Sequence, residues 1–269
     1  MIIDFHIHVS RYEDYKPWVH QLQRRSNPKL YERGYNMTPE LVEEELDKAG
    51  VDYGVVLAQD TPLVGIEVSN EYVLDFCRGH ERLIPFASIN PNTETSPRER
   101  LEELYEQGAR GLKLYPPYQW FYPNDRSVYP LYAEAEELGV PVMIHTGSST
   151  FKGARLKYGD PLFVDDVAVD FPGLNLLLVH GGRGFWYDRA FFLARLHRNI
   201  YLEISGLPPQ NLLRYFPELR KIPDKVVFGS DWPAAPPIPL TVEAIKELPL
   251  DEDMIKKILG GNARRLLGL

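Results

Sequence analysis

The histidines of this chain collect at the ends of short apolar runs. Of the seven in the sequence, four lie at such ends: His6 and His8 in MIIDFHIH, His145 in VMIHTG and His180 in LLLVHGG. An acidic residue, Asp231, follows a further apolar run in FGSDWP. Imidazole and carboxylate groups together form a mixed site that suits Zn²⁺, and Fe²⁺ or Mn²⁺ are alternatives. The residues therefore predict a divalent-metal site if the fold brings them together.

His6 and His8 are two residues apart on the first apolar run. Side chains at that spacing on a β-strand share a face and lie about 6.5 Å apart along the strand. Both imidazoles can then face one cavity while Ile7 faces the other way. Asp4 is expected on the face of the two histidines, either as an acceptor for the ring N–H of a metal-binding histidine or as a buried cap or ion-pair partner.

The elements that must position these residues are eight short apolar runs, predicted as strands. They are Ile2–His8, Tyr53–Ala58, Ile84–Ile89, Gly111–Tyr115, Val140–His145, Asn175–His180, Ile200–Ile204 and Lys225–Gly229. Helix-like segments lie between most of them, and the clearest begins at Thr38-Pro39-Glu40 and ends at Gly50.

Strands that alternate with helices predict a parallel sheet joined by crossovers. The expected fold is therefore α/β, a single-domain (β/α)₈ TIM barrel over residues 1–269, with a doubly wound open sheet as the alternative. Active sites of such barrels lie at the C-terminal ends of the strands, which is where the four histidines and Asp231 fall.

The composition restricts the partners. The 269 residues are 44% hydrophobic and 25% charged, which is typical of a globular protein. The 30 basic and 38 acidic residues give a formal charge of −8, which argues against a nucleic-acid partner. The single cysteine, Cys77, suits a reducing compartment. No apolar run approaches the ~20 residues that span a bilayer, and the N-terminus does not read as a signal peptide. We therefore expect a cytoplasmic protein with no membrane partner.

The order of these residues resembles the amidohydrolase superfamily, specifically its amidohydrolase-related branch, amidohydrolase 2, of metal-dependent barrel hydrolases and decarboxylases. The family pattern is HxH after strand one, a histidine after strand five, a histidine after strand six and an aspartate after strand eight. His6, His8, His145, His180 and Asp231 match it in order. The segments FASINP, GLKLYP, IHTG, HGG and GSDWP also resemble motifs of the branch, and the likeness runs from DFHIH to ILGGNARRLLGL.

The resemblance implies one divalent ion, favoured over two, held by His6, His8, His145 and Asp231. Zinc is the expected metal, with manganese or iron as alternatives. The ion would activate a water, Asp231 would move its proton, and His180 would polarise the substrate or transfer a proton. The implied reaction is hydrolysis of an amide, ester or lactone bond in a small molecule. Non-oxidative decarboxylation of a small carboxylic acid is the alternative on the same scaffold, and a metal-binding scaffold without catalysis is a second one.

Lys113, in GLKLYP, has more than one interpretation. In binuclear relatives a lysine on strand four is carboxylated and bridges two metals. We expect an unmodified Lys113 in or near the site. A buried ion pair with Glu203 or Asp231, or contact with a substrate carboxylate, are the other interpretations.

Further residues around the predicted site are candidates for substrate contact. Arg183 could bind a substrate carboxylate through a bidentate pair of hydrogen bonds or form a surface salt bridge. Trp232 is expected to line the pocket or to pack behind it. Tyr115 begins an aromatic loop that forms either a pocket wall or a contact in a homodimer. The long connection 9–37, rich in aromatic residues, is expected to close over the pocket.

Overall fold

A computed structural model of the chain describes residues 1–26, 28 and 37–269. The described strands, in chain order, are β1 Ile3–His8, β2 Tyr53–Leu57, β3 Gln59–Thr61, β4 Ile66–Val68, β5 Leu83–Ser88, β6 Leu112–Leu114, β7 Val142–His145, β8 Leu176–Val179, β9 Ile200–Glu203 and β10 Val226–Val227. Eight of them form one sheet in the order β1-β2-β5-β6-β7-β8-β9-β10, and every neighbouring pair is parallel.

Hydrogen bonds close this sheet into a barrel. Phe5 N donates to Phe228 O at 3.0 Å, and His8 N donates to Trp232 O at 2.8 Å, so β1 is joined to the segment that follows β10. The predicted (β/α)₈ barrel is confirmed, and each of the eight predicted strands is present within a few residues of its expected bounds.

Helices lie between the strands and cover the barrel. The described α-helices are Pro17–Ser26, Pro39–Ala49, Asn70–Cys77, Pro97–Glu106, Pro116–Gln119, Tyr129–Leu138, Val164–Asp170, Tyr187–Leu196, Leu212–Tyr215, Ile238–Lys246, Glu252–Lys256 and Asn262–Leu267. Thr38 caps its helix as predicted, because its hydroxyl accepts from Leu41 N at 3.3 Å, and Gly50 ends that helix with φ of 64°. Within these described ranges, none of the helices combines the length and the apolar character that crossing a bilayer requires.

The long connection after β1 contains regular structure that the sequence did not predict. Helix Pro17–Ser26 lies in it, and its N-terminal flank packs on the β3–β4 hairpin, where Lys16 N donates to Gly65 O at 2.9 Å. The hairpin itself follows β2 directly and was also not predicted. Tyr31 and Tyr35, which belong to the same connection, lie outside the described residues.

Two apolar layers hold the barrel together. Inside it, side chains from seven strands pack with the last helix: Ile3, Phe5, Val55, Leu57, Phe86, Met143, Leu177, Val179, Tyr201, Val227, Ala263 and Leu266. The alternate residues of the same strands, such as Val56, Ile144 and Leu178, pack outward in the larger cluster shared with the helices. Ala263 and Leu266 bring helix Asn262–Leu267 against the interior residues, so the C-terminal segment contributes to the barrel core.

Strand β1 carries an irregularity that changes which side chains face inward. Ile3 and Asp4 pair with Tyr53 and Gly54, but Ile7 pairs with Val56, so β1 holds one extra residue over this stretch. Such a β-bulge switches the alternation of side chains. Before it, Ile3 and Phe5 belong to the interior cluster. After it, Ile7 belongs to the outer cluster, and His6 lies beside His180 of the barrel interior.

The interior cluster predicts a matched pair of stability effects. Leu177 is completely buried in it, whereas Leu240, on helix Ile238–Lys246, is 63% exposed. We expect Leu177→Ala to lower the free energy of unfolding by about 2–5 kcal/mol, because it removes buried methyl groups and leaves a cavity. Leu240→Ala should change it by no more than about 0.5 kcal/mol. Urea denaturation followed by circular dichroism measures both, and equal effects would contradict the assignment of the barrel core.

Candidate metal centre and cavity

Three of the predicted ligands meet at the C-terminal end of the barrel. His6 and His8 come from β1, and Asp231 follows β10, the strand that lies next to β1 in the closed barrel. His6 Nε2 lies 3.1 Å from His8 Nε2, and Asp231 Oδ1 lies 3.5 Å from each of these nitrogens. Two imidazole nitrogens and a carboxylate oxygen thus converge on one point, and this arrangement could hold a divalent cation.

His145 lies beside this group but does not belong to it. Its ring centre is 4.7 Å from that of His180, and its ligand atoms fall outside the cluster of His6, His8 and Asp231 whose atoms lie within 4.8 Å of one another. His145 is 3% exposed, and within the described part of the chain its Nε2 has no hydrogen-bond partner. An unsatisfied buried nitrogen is costly, so a ligand at this atom would remove a real penalty.

Burial favours the neutral form of three imidazoles of this site. It holds the pKa of His6, His145 and His180 well below the usual value, because a charged ring would lose its hydration. The positive charge of Lys113 adds to the effect at His6, and that of Arg183 adds to it at His180. Neutral imidazoles carry a lone pair on one nitrogen, which is the form that binds a metal.

Asp4 does not face the histidines as expected. The bulge in β1 separates their faces, and Asp4 lies on the face opposite to Ile3 and Phe5. Its Oδ1 accepts backbone hydrogen bonds from His6 N at 3.1 Å and from Ser230 N at 2.8 Å. Of the two roles expected for Asp4, the bonds described here are those of a buried cap on backbone groups and not those of an acceptor for a histidine ring. Asp4 instead binds the backbone at the bulge and ties it to the segment that leads to Asp231.

The ring acceptors that Asp4 was expected to supply come from the end of β9. Ser205 Oγ lies 2.8 Å from His6 Nδ1 and 3.0 Å from His180 Nδ1. Glu203 Oε2 lies 3.5 Å from His6 Nδ1 and accepts a hydrogen bond from Ser205 Oγ at 2.8 Å. All of these residues are buried. The spacing Glu203-x-Ser205 at a strand end was the sequence signal for this pair.

Lys113 lies inside the barrel, beneath the cavity. It is completely buried, and among the described residues its Nζ has no hydrogen-bond partner. Burial lowers the pKa of the Lys113 amine, while the charges of Glu203 and Asp231 oppose that shift. The ion pairs of the described residues do not include one for Lys113, so its interaction with Glu203 is a longer-range one.

His6, His8 and Asp231, which we call the metal-ligand group, open into a cavity of about 780 Å³, mouth included. Besides the four histidines and Asp231, its wall includes Tyr15, Gln59, Tyr115, Tyr118, Phe151 and Arg183. Gln59 was not predicted, although it lies just beyond the end of β2, where barrel sites are built. The wall thus combines the polar groups of the site with four aromatic side chains, Tyr15, Tyr115, Tyr118 and Phe151.

Arg183 and Tyr115 differ in what they can offer a ligand. Arg183 Nη2 donates to Ser148 O at 3.2 Å, and the guanidinium makes no ion pair within the described residues. The Tyr115 hydroxyl, by contrast, donates to Ala58 O at 3.0 Å, so Tyr115 presents its ring rather than its hydroxyl. Arg183 is therefore the cationic group on this wall that a ligand could engage.

Trp232 does not line the cavity. It is 8% exposed and belongs to the outer apolar cluster, while the next two residues, Pro233 and Ala234, form part of the cavity wall. Its backbone oxygen accepts from His8 N. The expectation of a pocket-lining Trp232 is wrong, and the alternative interpretation, packing behind the wall, describes it.

The connection after β1, expected to close over the pocket, reaches the cavity through a few of its described residues. Ser10, Tyr15 and Gln23 line it. Tyr12 instead stacks on His20, with ring centres 4.0 Å apart, and Trp18 packs against Gly65 of the hairpin. The described part of this connection thus forms one side of the cavity mouth together with the β3–β4 hairpin.

Two site residues have a backbone conformation that L-amino acids rarely adopt. His180 has φ of 62° and Asp231 has φ of 64°, both in the left-handed region. This conformation costs roughly 1–2 kcal/mol for a residue with a Cβ atom. Strain of this kind concentrates at functional sites, where the surrounding structure holds it in place.

The amidohydrolase family model matches residues 3–269, and the chain belongs to that family. A search of curated proteins found no match. Family membership supports a metal-dependent enzyme and leaves the reaction open.

Solved structures share the whole barrel. An uncharacterised TIM-barrel protein from Bordetella bronchiseptica is 27% identical, with a TM-score of 0.81 over 99% of this chain and 98% of that chain. A dihydroxybenzoic acid decarboxylase from Polaromonas, solved with bound manganese and an inhibitor, 2-nitroresorcinol, is 18% identical, with a TM-score of 0.77 over 100% and 97%. A probable 2-pyrone-4,6-dicarboxylic acid hydrolase from Acinetobacter baumannii, with citric acid bound, is 20% identical, with a TM-score of 0.69 over 100% and 99%.

The left-handed conformation of His180 predicts that the glycine variant is more stable than the alanine variant, which is the reverse of the usual order. Glycine ordinarily destabilises relative to alanine, but at positive φ it relieves the steric cost. We expect the His180→Gly protein to be more stable than the His180→Ala protein by about 1 kcal/mol. Urea denaturation with a chelator present measures the difference without a contribution from metal. The ordinary order, with alanine more stable, would contradict the backbone conformation described here.

Proposed function

We propose that the protein is a metal-dependent hydrolase that cleaves an amide, ester or lactone bond of a small molecule. The observation that carries the proposal is the state of His180 beside the metal-ligand group. His180 Nδ1 lies 2.8 Å from Ser205 O, and a carbonyl oxygen can only accept, so the ring proton is on Nδ1. Nε2 then has a lone pair, and His180 can accept a proton from a water at the site.

The donor set fits a divalent ion. Two imidazole nitrogens and a carboxylate oxygen converge, and His145 Nε2 is buried beside them without a partner. We assign His6, His8 and Asp231 as ligands and His145 as the fourth. The set is rich in nitrogen, which favours Zn²⁺, although the Polaromonas relative holds manganese. When bound, the ion would supply Lewis-acid activation of water or of the scissile group.

The residues around the ion divide the remaining work. Asp231 and His180 would take a proton from water and pass it to the leaving group. Arg183 would bind a carboxylate or another anionic group of the substrate. The aromatic side chains of the wall would pack on an apolar or planar part of the substrate and exclude water.

Decarboxylation is the second candidate. What favours it is the likeness to the Polaromonas enzyme, named as a decarboxylase of dihydroxybenzoic acid, together with an arginine that could bind a carboxylate. Replacement of CO₂ by hydrogen needs a group that gives a proton to carbon. The His180 proton is on Nδ1 and is bound to Ser205 O, so the Nε2 atom of His180 is a proton acceptor and not a donor. This difference is our reason to place hydrolysis first.

The ligand assignment predicts the metal content. Protein purified without chelator should hold about one equivalent of divalent metal by elemental analysis. We expect His8→Ala to weaken Zn²⁺ binding by more than about 100-fold, because loss of a ligand exceeds the effect of losing an outer partner. His80→Ala is the matched control. His80 does not line the cavity, and its Nδ1 lies 3.0 Å from Glu43 Oε2, so this substitution should leave Zn²⁺ binding unchanged. A protein that holds and takes up no metal would contradict the assignment.

The reaction is tested by product analysis. We expect a panel of small lactones, esters and amides to release a new acid, measured by titration at constant pH, and hydroxybenzoates to release no CO₂. Release of CO₂ without hydrolysis would favour the second candidate.

The role of His180 is tested with the His180→Asn protein, assayed on whichever substrate the wild-type protein converts. It should lower kcat/KM by roughly 10²–10⁴-fold, because a proton acceptor is lost, while the metal content stays the same. Loss of metal together with activity would make His180 a ligand.

A further inference from the structure

A serine hydroxyl occupies the centre of a second cluster of metal-binding side chains. His6, His180 and Glu203 each offer one atom to this cluster, and these atoms lie within 4.8 Å of one another. Ser205 Oγ lies 2.8 Å from His6 Nδ1, 3.0 Å from His180 Nδ1 and 2.8 Å from Glu203 Oε2. We call these four residues the Ser205 cluster. Its centre is already filled by a hydroxyl, so the cluster works through hydrogen bonds.

The direction of the bond between Ser205 and Glu203 follows from the other donors around them. Glu203 Oε1 accepts from Ser205 N at 3.0 Å, and Glu203 Oε2 accepts from His180 N at 3.3 Å. Both partners are backbone N–H groups, which can only donate, so both carboxylate oxygens act as acceptors. Ser205 therefore donates its one hydroxyl proton to Glu203 Oε2.

The tautomer of His6 follows in turn. A hydroxyl that has donated its proton offers only lone pairs, so His6 Nδ1 must carry a proton to bond it at 2.8 Å. His6 Nε2 is then unprotonated, and it is this atom that lies 3.1 Å from His8 Nε2 and 3.5 Å from Asp231 Oδ1. His180 is held in the same tautomer by Ser205 O, independently of the hydroxyl.

We propose that Ser205, with Glu203 behind it, is a positioning residue that sets the tautomer and orientation of His6, so that Nε2 is presented to a divalent metal. The role in metal binding rests on the proposed function, whereas the tautomer of His6 does not. Ser205 does not itself line the cavity, and we assign its effect on the proposed metal to its bond with the His6 ring.

The space for this arrangement depends on Gly229. A Cβ atom at that position would lie 2.2 Å from Glu203 Oε1 and 2.7 Å from His6 Cβ. A side chain there would push apart the two residues that Ser205 connects. Because Gly229, which follows β10, has no side chain, Glu203 at the end of β9 and Ser205 just after it can approach His6 of β1.

The tautomers can be read directly in the metal-free protein. Long-range ¹⁵N–¹H correlation spectra of protein labelled at histidine distinguish Nδ1–H from Nε2–H, with assignment by His6→Asn and His180→Asn. We expect Nδ1–H for both rings in the wild-type protein. In Ser205→Ala, His180 should keep this tautomer, because the backbone carbonyl remains, while His6 should populate both. Nε2–H on His6 in the wild-type protein would overturn the proposal even if the variant fails to fold.

Metal affinity gives the second readout. Calorimetric titration of the metal-free proteins with Zn²⁺ should show affinity about 10–100-fold weaker for Ser205→Ala, with Ser205→Thr restoring much of it because the hydroxyl is kept. Ser88→Ala is the matched control: Ser88 is also buried at a barrel strand end, but its hydroxyl accepts from Asp60 N and, within the described ranges, bonds no histidine. An equal loss in Ser88→Ala, or unchanged affinity in Ser205→Ala, would overturn the role. If the wild-type protein binds neither Zn²⁺ nor Mn²⁺, the proposed function fails, and the tautomer measurement still decides the inference about His6.

Discussion

The bulge in β1 is the constraint on which the rest of the site depends. Without the extra residue, strict alternation would place His6 and His8 on the face opposite to Ile3 and Phe5. One group or the other would then leave the barrel interior. With it, the first half of β1 fills the apolar core and the second half presents two imidazoles to the cavity. Asp4 stabilises this change of face, because its Oδ1 binds the backbone N–H of His6 and of Ser230. The same carboxylate therefore ties the strand with two ligands to the segment that carries Asp231.

Bringing several imidazoles into a buried space creates an electrostatic problem that the surrounding residues solve. A charged ring would lose its hydration there, so burial holds His6, His145 and His180 in the neutral form. A neutral imidazole still has one nitrogen that donates and one that accepts, and both need partners. The Ser205 cluster satisfies the donating nitrogens of His6 and His180. The accepting nitrogens are left facing the cavity, where a cation can satisfy them. The end of β9 thus determines what the end of β1 can bind.

The sequence predicted the barrel well because each strand is a short apolar run and each crossover carries helix signals such as Thr38 and Gly50. It also placed His6, His8 and Asp231 together, since the ends of parallel strands meet on one face of a barrel. It failed at Asp4, because alternation along a strand cannot reveal a bulge that depends on pairing with β2 and with the segment after β10. It failed at Trp232 for a related reason: Asp231 takes a left-handed conformation, which redirects the chain immediately after it. The β3–β4 hairpin escaped prediction because its strands have three residues each, too few for a periodic pattern.

The left-handed conformations of His180 and Asp231 link the fold to the chemistry proposed for it. His180 directly follows β8, Asp231 lies four residues after β10, and a positive φ changes the direction of the chain at each of them. The glycines around His180 accommodate the turn: a Cβ atom at Gly181 would lie 2.7 Å from the Phe216 ring, and Gly206 leaves room beside Asp231 Oδ2 and Arg183 Nη1. The closed barrel can hold these strained residues because both strand ends are fixed by hydrogen bonds to their neighbours. The two groups that we propose to accept protons are therefore held in place by the backbone before any substrate arrives, and this preorganisation lowers the cost of reorganising the site during reaction.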